Sequence, residues 1–200
     1  MGGMEYTNYT EEGDWDFRGT DTKQYTHCFH IYPAMMIPQI ARELMVRYGV
    51  RDGFLFDPYC GTGTSLVEAR VANMNAIGTD INPTARMIAK SKTMDYDITK
   101  LRGCVTSFVS DIEENLGNIE DYSDLSEPEF VSWERLEDWF PTRSIAEISY
   151  ALRAIDNEEY EEGRLFLRVA LSECIALPLD SIPLRALRAA RRLELRRVLV

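Results

Sequence analysis

Two rhythms of apolar and polar positions run along this chain. Over residues 38–48 a proline start, apolar positions at Ile40, Leu44 and Val46 or Arg47, and a stop at Gly49 predict a helix. Short apolar runs then alternate with helical spacings: a strand over 54–56, a helix over 65–73, a strand over 76–79 and a helix over 84–92. A β-α-β-α unit of this kind predicts a parallel sheet with a right-handed crossover. Beyond residue 97 the alternation stops. Ile98, Leu101, Val105, Phe108, Ile112 and Leu116 recur every three or four residues. That spacing predicts one long helix capped by Asp97, and excludes Val109-Ser110-Asp111 as a third strand. Two further helices are expected over 144–155 and 158–175, separated by Asp156-Asn157.

The organisation that follows is an N-terminal arm over 1–23, an α/β part over 24–118, a helical segment over 119–175 and a basic tail over 176–200. Trp15 and Phe17 are the expected anchors of the arm. Two hundred residues, 45% of them hydrophobic, suffice for one domain with a proper core. No apolar run approaches the roughly 20 residues of a membrane span, and residues 1–16 lack the basic and apolar blocks of a signal peptide. A cytoplasmic location without membrane partners is the expectation.

Charge changes the picture at one end. The net charge is −11, unusual for a chain that handles a polyanion. The tail holds six Arg against Asp180 and Glu194, a local +4 that leaves −15 for the rest. Leu184, Leu187, Leu195 and Val198 fall near one helical face and Arg185, Arg188, Arg192 and Arg196 on another, the pattern of a basic amphipathic helix. The same Arg-, Leu- and Ala-rich, Lys-free composition is also what an out-of-frame extension looks like, and we favour that reading. Ahead of it, residues 119–128 read as an acidic loop. Trp133, Trp139 and Phe140 form an aromatic group, for which core packing is favoured over base stacking because few basic residues surround it.

Candidate chemistry concentrates in Phe54-Leu55-Phe56-Asp57-Pro58-Tyr59-Cys60-Gly61-Thr62-Gly63-Thr64-Ser65, a buried strand joined to a helix through a glycine loop. Gly61 and Gly63 allow a sharp turn and close approach to a ligand, Thr64 and Ser65 are placed to cap the helix, and the loop is expected to point free N–H groups outward. About 17 residues beyond Gly63, the strand Ala76-Ile77-Gly78-Thr79 ends at Asp80, whose carboxylate suits two ribose hydroxyls. Glycine loop and acid, each after an apolar strand, are the arrangement of nucleotide-type cofactor sites at the carboxyl ends of parallel strands. His27 and His30 lack neighbouring ligands at zinc spacing, so a structural or substrate-positioning role is expected and no metal. Cys28, Cys60, Cys104 and Cys174 are scattered, without a C-x-x-C pair, and read as reduced, mostly buried thiols.

The run Asp57-Pro58-Tyr59-Cys60-Gly61-Thr62-Gly63-Thr64 resembles the D-P-[FY]-x-G-[ST]-G-T motif of S-adenosylmethionine-dependent amino-methyltransferases. Upstream, Tyr25-Thr26-His27-Cys28-Phe29-His30-Ile31-Tyr32-Pro33-Ala34 followed by Ile37-Pro38-Gln39-Ile40 resembles the N-terminal cofactor-binding motif of DNA N4-cytosine and N6-adenine methyltransferases. The resemblance covers roughly residues 15–175 and is most specific over 26–83. It implies a Rossmann-like methyltransferase fold with a parallel sheet, here incomplete, and S-adenosyl-L-methionine as cofactor. By the same resemblance, Thr26 and its neighbours contact the methionine carboxylate. Asp57, Tyr59, Gly61 and Gly63 hold the methionine end, Asp57 as acceptor for its ammonium. Asp80 takes the ribose hydroxyls, Ile81 packs on adenine, and Cys60, Thr64 and Asn82 complete the cofactor-binding set.

One part of that family's equipment is missing from the sequence. Its members carry [SDN]-P-P-[FYW], whose polar groups accept hydrogen bonds from the target amine while the aromatic ring stacks on the flipped base. No Pro-Pro pair occurs in this chain. Methyl transfer needs the amine held in line with the methyl, so the expectation is a cofactor-binding half with little turnover by itself. It would act on DNA within a complete enzyme, cytosine N4 first, and be completed by a second polypeptide or interrupted in its gene. The alternatives are a fragment of an RNA guanine-N2 methyltransferase, whose loop can also read D-P-x-C-G-T-G-T, and a non-catalytic cofactor-binding subunit.

Overall fold

A computed structural model describes residues 15–30, 32–49, 53–116 and 138–175. Ile31, most of the N-terminal arm, the acidic loop expected over 119–128, Trp133 and the basic tail lie outside the described residues. The chain begins with a 3₁₀ helix, Tyr25–Phe29, then α1 (Pro38–Tyr48), β1 (Phe54–Asp57), α2 (Thr64–Val71), β2 (Asn75–Gly78) and α3 (Pro83–Thr93). Three longer helices follow, α4 (Ile98–Leu116), α5 (Thr142–Asp156) and α6 (Glu161–Ile175).

Local chemistry accounts for most of the boundaries. Pro38 opens α1, where its missing N–H costs nothing, and Gly49 N–H closes it on the Met45 carbonyl at 2.8 Å. Asn82 caps α3 by accepting the Thr84 N–H at 2.9 Å, with Pro83 at the first helical position. Asp97 caps α4 as expected, accepting from the N–H groups of Thr99 at 3.0 Å and Lys100 at 3.1 Å. Val109-Ser110-Asp111 is accordingly helical. The start of α6 moves to Glu161 because the Glu158 side chain accepts the Tyr160 N–H at 3.0 Å, which makes a turn of the residues expected to be helical. At α2 the cap differs too. Gly63 in a left-handed conformation precedes the helix and no side chain caps it.

β1 and β2 pair in parallel, with Phe54 opposite Asn75, Phe56 opposite Ile77 and Asp57 opposite Gly78. Both strands alternate between half-buried and exposed positions. Leu55, Ala76 and Gly78 face the side where α2 packs, while Phe56 and Ile77 remain 63% and 53% exposed on the other. Between that face and α1 runs a groove of about 640 Å³ lined by Met36, Leu44, Tyr48, Phe54, Phe56 and Pro58. Parallel sheets are ordinarily covered on both faces, so this apolar face is unfinished among the described residues.

The main core lies elsewhere. Leu101, Val105, Phe108 and Ile112 of α4 pack with Ile155 of α5 and with Phe166, Leu167 and Leu171 of α6. α6 also packs on α3. Phe29 from the 3₁₀ helix and Tyr96 each set a ring edge-to-face against Phe166 at 5.8 Å. The same core thus holds the 3₁₀ helix in place. Trp139 departs from the expected core packing, standing 73% exposed at the start of the segment that leads into α5.

Candidate cofactor site at the ends of the two strands

The loops leaving β1 and β2 meet at the carboxyl end of the sheet. Asp57, the last residue of β1, accepts the Tyr59 N–H at 3.1 Å on one oxygen and the Ser65 hydroxyl on the other. That bond takes Ser65 away from capping α2 and ties the strand end to the helix start. Gly61 and Gly63 both have positive φ, +52° and +82°. They do different jobs. A methyl group on Gly63 would lie 2.9 Å from the Ala89 side chain, so this glycine lets the loop close on α3, whereas one on Gly61 would meet nothing within 4 Å. Gly61 therefore borders open space, as a position that lets a ligand approach the backbone must.

Asp80 joins the two loops. One carboxylate oxygen accepts the Gly61 N–H at 3.0 Å and the other the Asn82 N–H at 2.8 Å. The turn after it is tied down by Arg86, which donates to the carbonyls of Asp80 and Ile81 at 2.6 and 3.1 Å. Each Asp80 oxygen keeps a lone pair for a ligand hydroxyl. Ile81, next in the chain, is 95% exposed, and Tyr59 on the loop after β1 is 87% exposed, two apolar surfaces on the loops that meet at Asp80.

The outward array of free N–H groups is only partly realised. Those of Tyr59, Cys60, Gly61 and Gly63 are taken by Asp57, by the Thr79 carbonyl, by Asp80 and by the Cys60 carbonyl. The loop is held rigid by these bonds, which cost it donors. Cys60 is a packing residue: its side chain lies against Gly78, where even a methyl would come within 2.7 Å. Burial, and then the carboxylates of Asp57 and Asp80, push its thiol pKa above the usual value, which disfavours a nucleophilic thiolate. Thr64 is buried at the first turn of α2. Asn82 is committed at both ends, capping α3 through Oδ1 and donating to the Tyr32 hydroxyl at 2.7 Å through Nδ2. Thr26 donates its hydroxyl hydrogen to the Lys92 carbonyl at 2.9 Å.

Three features escaped the reading of the sequence. His27 donates through Nε2 to Glu68 at 2.9 Å, and Arg42 grips the same carboxylate at 2.8 and 3.2 Å. This triad ties the 3₁₀ helix to α1 and α2, the structural part that a histidine was expected to play. Burial raises the Glu68 pKa, but the hydrogen bonds from His27 and Arg42 outweigh it and hold the group below the usual carboxylate range. His30 lies 3.0 Å from the Ser172 hydroxyl and 3.3 Å from Glu173, which fixes the 3₁₀ helix to α6. The third is Lys92, whose side chain is buried beside the glycine loop with Nζ 3.4 Å from the Thr62 hydroxyl. Helical spacing from Ala85 through Ile88 and Ala89 points to its inward face, but no sequence rule predicts a cation there.

A nucleoside-bearing cofactor with an amino-acid end fits these residues: an acid for vicinal hydroxyls, exposed apolar flanks, an open glycine backbone and a buried cation. Among the described residues no group of His, Cys, Asp and Glu is placed to hold a metal ion, and no helix is long and apolar enough to cross a membrane.

Comparison with known protein families finds that residues 23–116 match the RMKL-like methyltransferase domain. The chain is similar to Type II methyltransferase M.MvaI of Kocuria varians, 34% identical over 166 residues that make up 80% of this chain and 36% of that protein. It is also similar to Type II methyltransferase M.MjaII of Methanocaldococcus jannaschii, 27% identical over 74% of this chain and 29% of the relative. A shorter stretch of 69 residues, 34% of this chain, is 40% identical to a tRNA (guanine(10)-N2)-dimethyltransferase of Methanothermobacter thermautotrophicus. The chain spans about a third of the length of the two Type II methyltransferases. No solved structure matches it.

Proposed function

From a chain that carries an RMKL-like methyltransferase domain and is homologous to Type II methyltransferases, we propose that this protein is the S-adenosylmethionine-binding half of a DNA methyltransferase acting on an exocyclic amine, cytosine N4 first. The observation that carries the reading is Asp80, held between the Gly61 and Asn82 N–H groups with a lone pair on each oxygen still to offer. When bound, the cofactor supplies an electrophilic methyl group. The residues of this chain bind and orient it. Asp80 accepts the ribose hydroxyls, and exposed Ile81 covers one face of the adenine. Asp57 accepts from the ammonium end with the lone pairs its bonds to Tyr59 and Ser65 leave open, and Gly61 lets the methionine chain lie against the backbone. Asn82 and Thr64 act one step back, by holding the loops in place.

Alignment of a target amine with the methyl is the task of groups this chain does not supply, and the uncovered face at Phe56 and Ile77 is where further sheet and helix would add. The rest of the catalytic apparatus, carried by a further segment or a second polypeptide, is the expected cover. The cytosine N4 preference rests on the motif around residues 27–38. The local likeness to a tRNA (guanine(10)-N2)-dimethyltransferase supports an RNA guanine as the second reading. It is confined to about a third of the chain, whereas the Type II likeness extends over most of it.

Calorimetric titration of the purified chain with S-adenosylmethionine tests the proposal. Micromolar binding by the wild type and at least about tenfold weaker binding by Asp80→Ala are expected, the loss of two charge-assisted hydrogen bonds. A folded wild type that does not bind rules the reading out. Methylation of duplex DNA, with none of tRNA, after supplying the remaining segment separates the two substrates.

A further inference from the structure

We propose that Lys92 is the anion-binding residue of this site, a buried ammonium that receives the carboxylate of the cofactor's methionine end. The inference rests on the S-adenosylmethionine reading and assigns a partner to the one end of that ligand for which the glycine loop offers few donors. Lys92 lies on the last turn of α3, one turn beyond the Ala89 that Gly63 packs against, and only 2% of its surface is exposed. Its Nζ has the Thr62 hydroxyl at 3.4 Å and the Met35 sulfur at 4.0 Å, and no carboxylate among the described residues pairs with it. Glu173, the acid whose charge it feels, is engaged by His30.

A buried cation facing a hydroxyl and a thioether is an incomplete arrangement, since neither neutralises it. Desolvation accordingly lowers the pKa of the ammonium to about 8, against smaller opposing influences from Cys28 and Glu173. It still carries its proton at neutral pH. The other cations near the loop are committed: Arg42 to Glu68, Arg70 to Asp95 and the Thr93 carbonyl, Arg86 to two carbonyls. Thr26, which resemblance assigns to the carboxylate, spends its only hydroxyl hydrogen on the Lys92 backbone. Thr26 is thus a positioning residue and Lys92 the charge it positions. Thr62, on the glycine loop itself, brings that loop to within 3.4 Å of the ammonium.

The test uses the intact chain and two compounds, S-adenosylmethionine and its decarboxylated form, which differs only by the carboxylate. The wild type is expected to prefer the carboxylate-bearing compound by at least about tenfold. In Lys92→Met, binding of S-adenosylmethionine falls about ten- to hundredfold, while the decarboxylated compound binds within about threefold of wild type, so the preference collapses. Lys92→Gln, which keeps a hydrogen-bond donor without charge, falls between. Removing an uncompensated charge also raises the melting temperature of the ligand-free Lys92→Met chain, whereas loss of a merely structural lysine lowers it. Undiminished preference in Lys92→Met, equal loss of both compounds, or no preference in the wild type overturns the assignment while leaving the cofactor reading intact. A cooperatively melting wild type that binds neither compound overturns both.

Discussion

Around Phe166, three helices and the Tyr25–Phe29 turn close over a continuous core, whereas Phe54, Phe56 and Ile77 stand on a sheet face that nothing among the described residues covers. Apolar side chains in the two regions have opposite fates. In the helical region each apolar stripe meets another at helical spacing, so burial is complete within the chain. The two-stranded parallel sheet has two faces, and among the described residues helix packs closely on one of them while Phe56 and Ile77 on the other stay exposed. Stability is therefore concentrated on the side away from the open face, and the candidate site lies where the two regimes meet, at the loops after β1 and β2.

The contrast is most directly broken in the core. Phe166→Ala removes the ring against which Phe29 and Tyr96 pack, and is expected to cost about 3–5 kcal/mol in urea unfolding. A loss under about 1 kcal/mol means that the helices do not provide the stability assigned to them.

Next comes the buried charge. The folded pKa of Lys92, about 8, lies below its ordinary value of 10.5, so the unfolded chain holds the extra proton between those pH values. Stability therefore rises with pH across that window. Below pH 8 the full penalty is present, on the order of 3 kcal/mol. Ligand-free Lys92→Met is expected to be more stable than wild type by about that much at pH 7, with the gap narrowing from pH 8 towards 10.5. Comparison with the variant cancels the burial-raised groups Tyr96 and Cys104, and Cys28 and Glu173 are the other titrating groups that face Lys92. A pH-independent gap removes the buried ammonium from the account.

At the seam, Gly63→Ala puts a side chain at φ +82° and within 2.9 Å of Ala89, an expected loss of about 1–3 kcal/mol accompanied by weaker cofactor binding. Calorimetry and melting read the two effects together.

The smallest effect sharpens the comparison furthest. Phe56→Ser on the open face should change the stability of this chain by less than about 0.5 kcal/mol, because the ring is 63% exposed. The same change should weaken association with the segment or second polypeptide proposed to cover the face. A large loss of stability in the isolated chain would show that the face is already buried.

Much of the architecture was legible beforehand because its signals are local. Pro38 and Gly49 bound α1, Asp97 starts α4, and the three- and four-residue recurrence through Leu116 excludes a third strand there. The glycine loop and Asp80, 19 residues from Gly61, could be paired from spacing because a parallel β-α-β unit always brings successive strand ends together. Roles that depend on where a side chain finds its partner were not legible in that way. Ser65 was expected to cap α2 and bonds Asp57 instead. Trp139 was expected in the core and is exposed.

The sequence by itself determined the order of the elements, the ends of α1 at Pro38 and Gly49, the Asp97 cap of α4 and the convergence of Gly61 with Asp80, since each follows from backbone geometry acting over a few residues or one crossover. Only the tertiary structure decided that His27 and Arg42 share Glu68, that Thr26 is bound to the Lys92 carbonyl, and that, among the described residues, Lys92 is buried without a counter-charge and one sheet face has no cover. Those outcomes depend on which surfaces meet after the helices dock. Burial and pairing are properties of two distant segments at once, and neither segment encodes them alone.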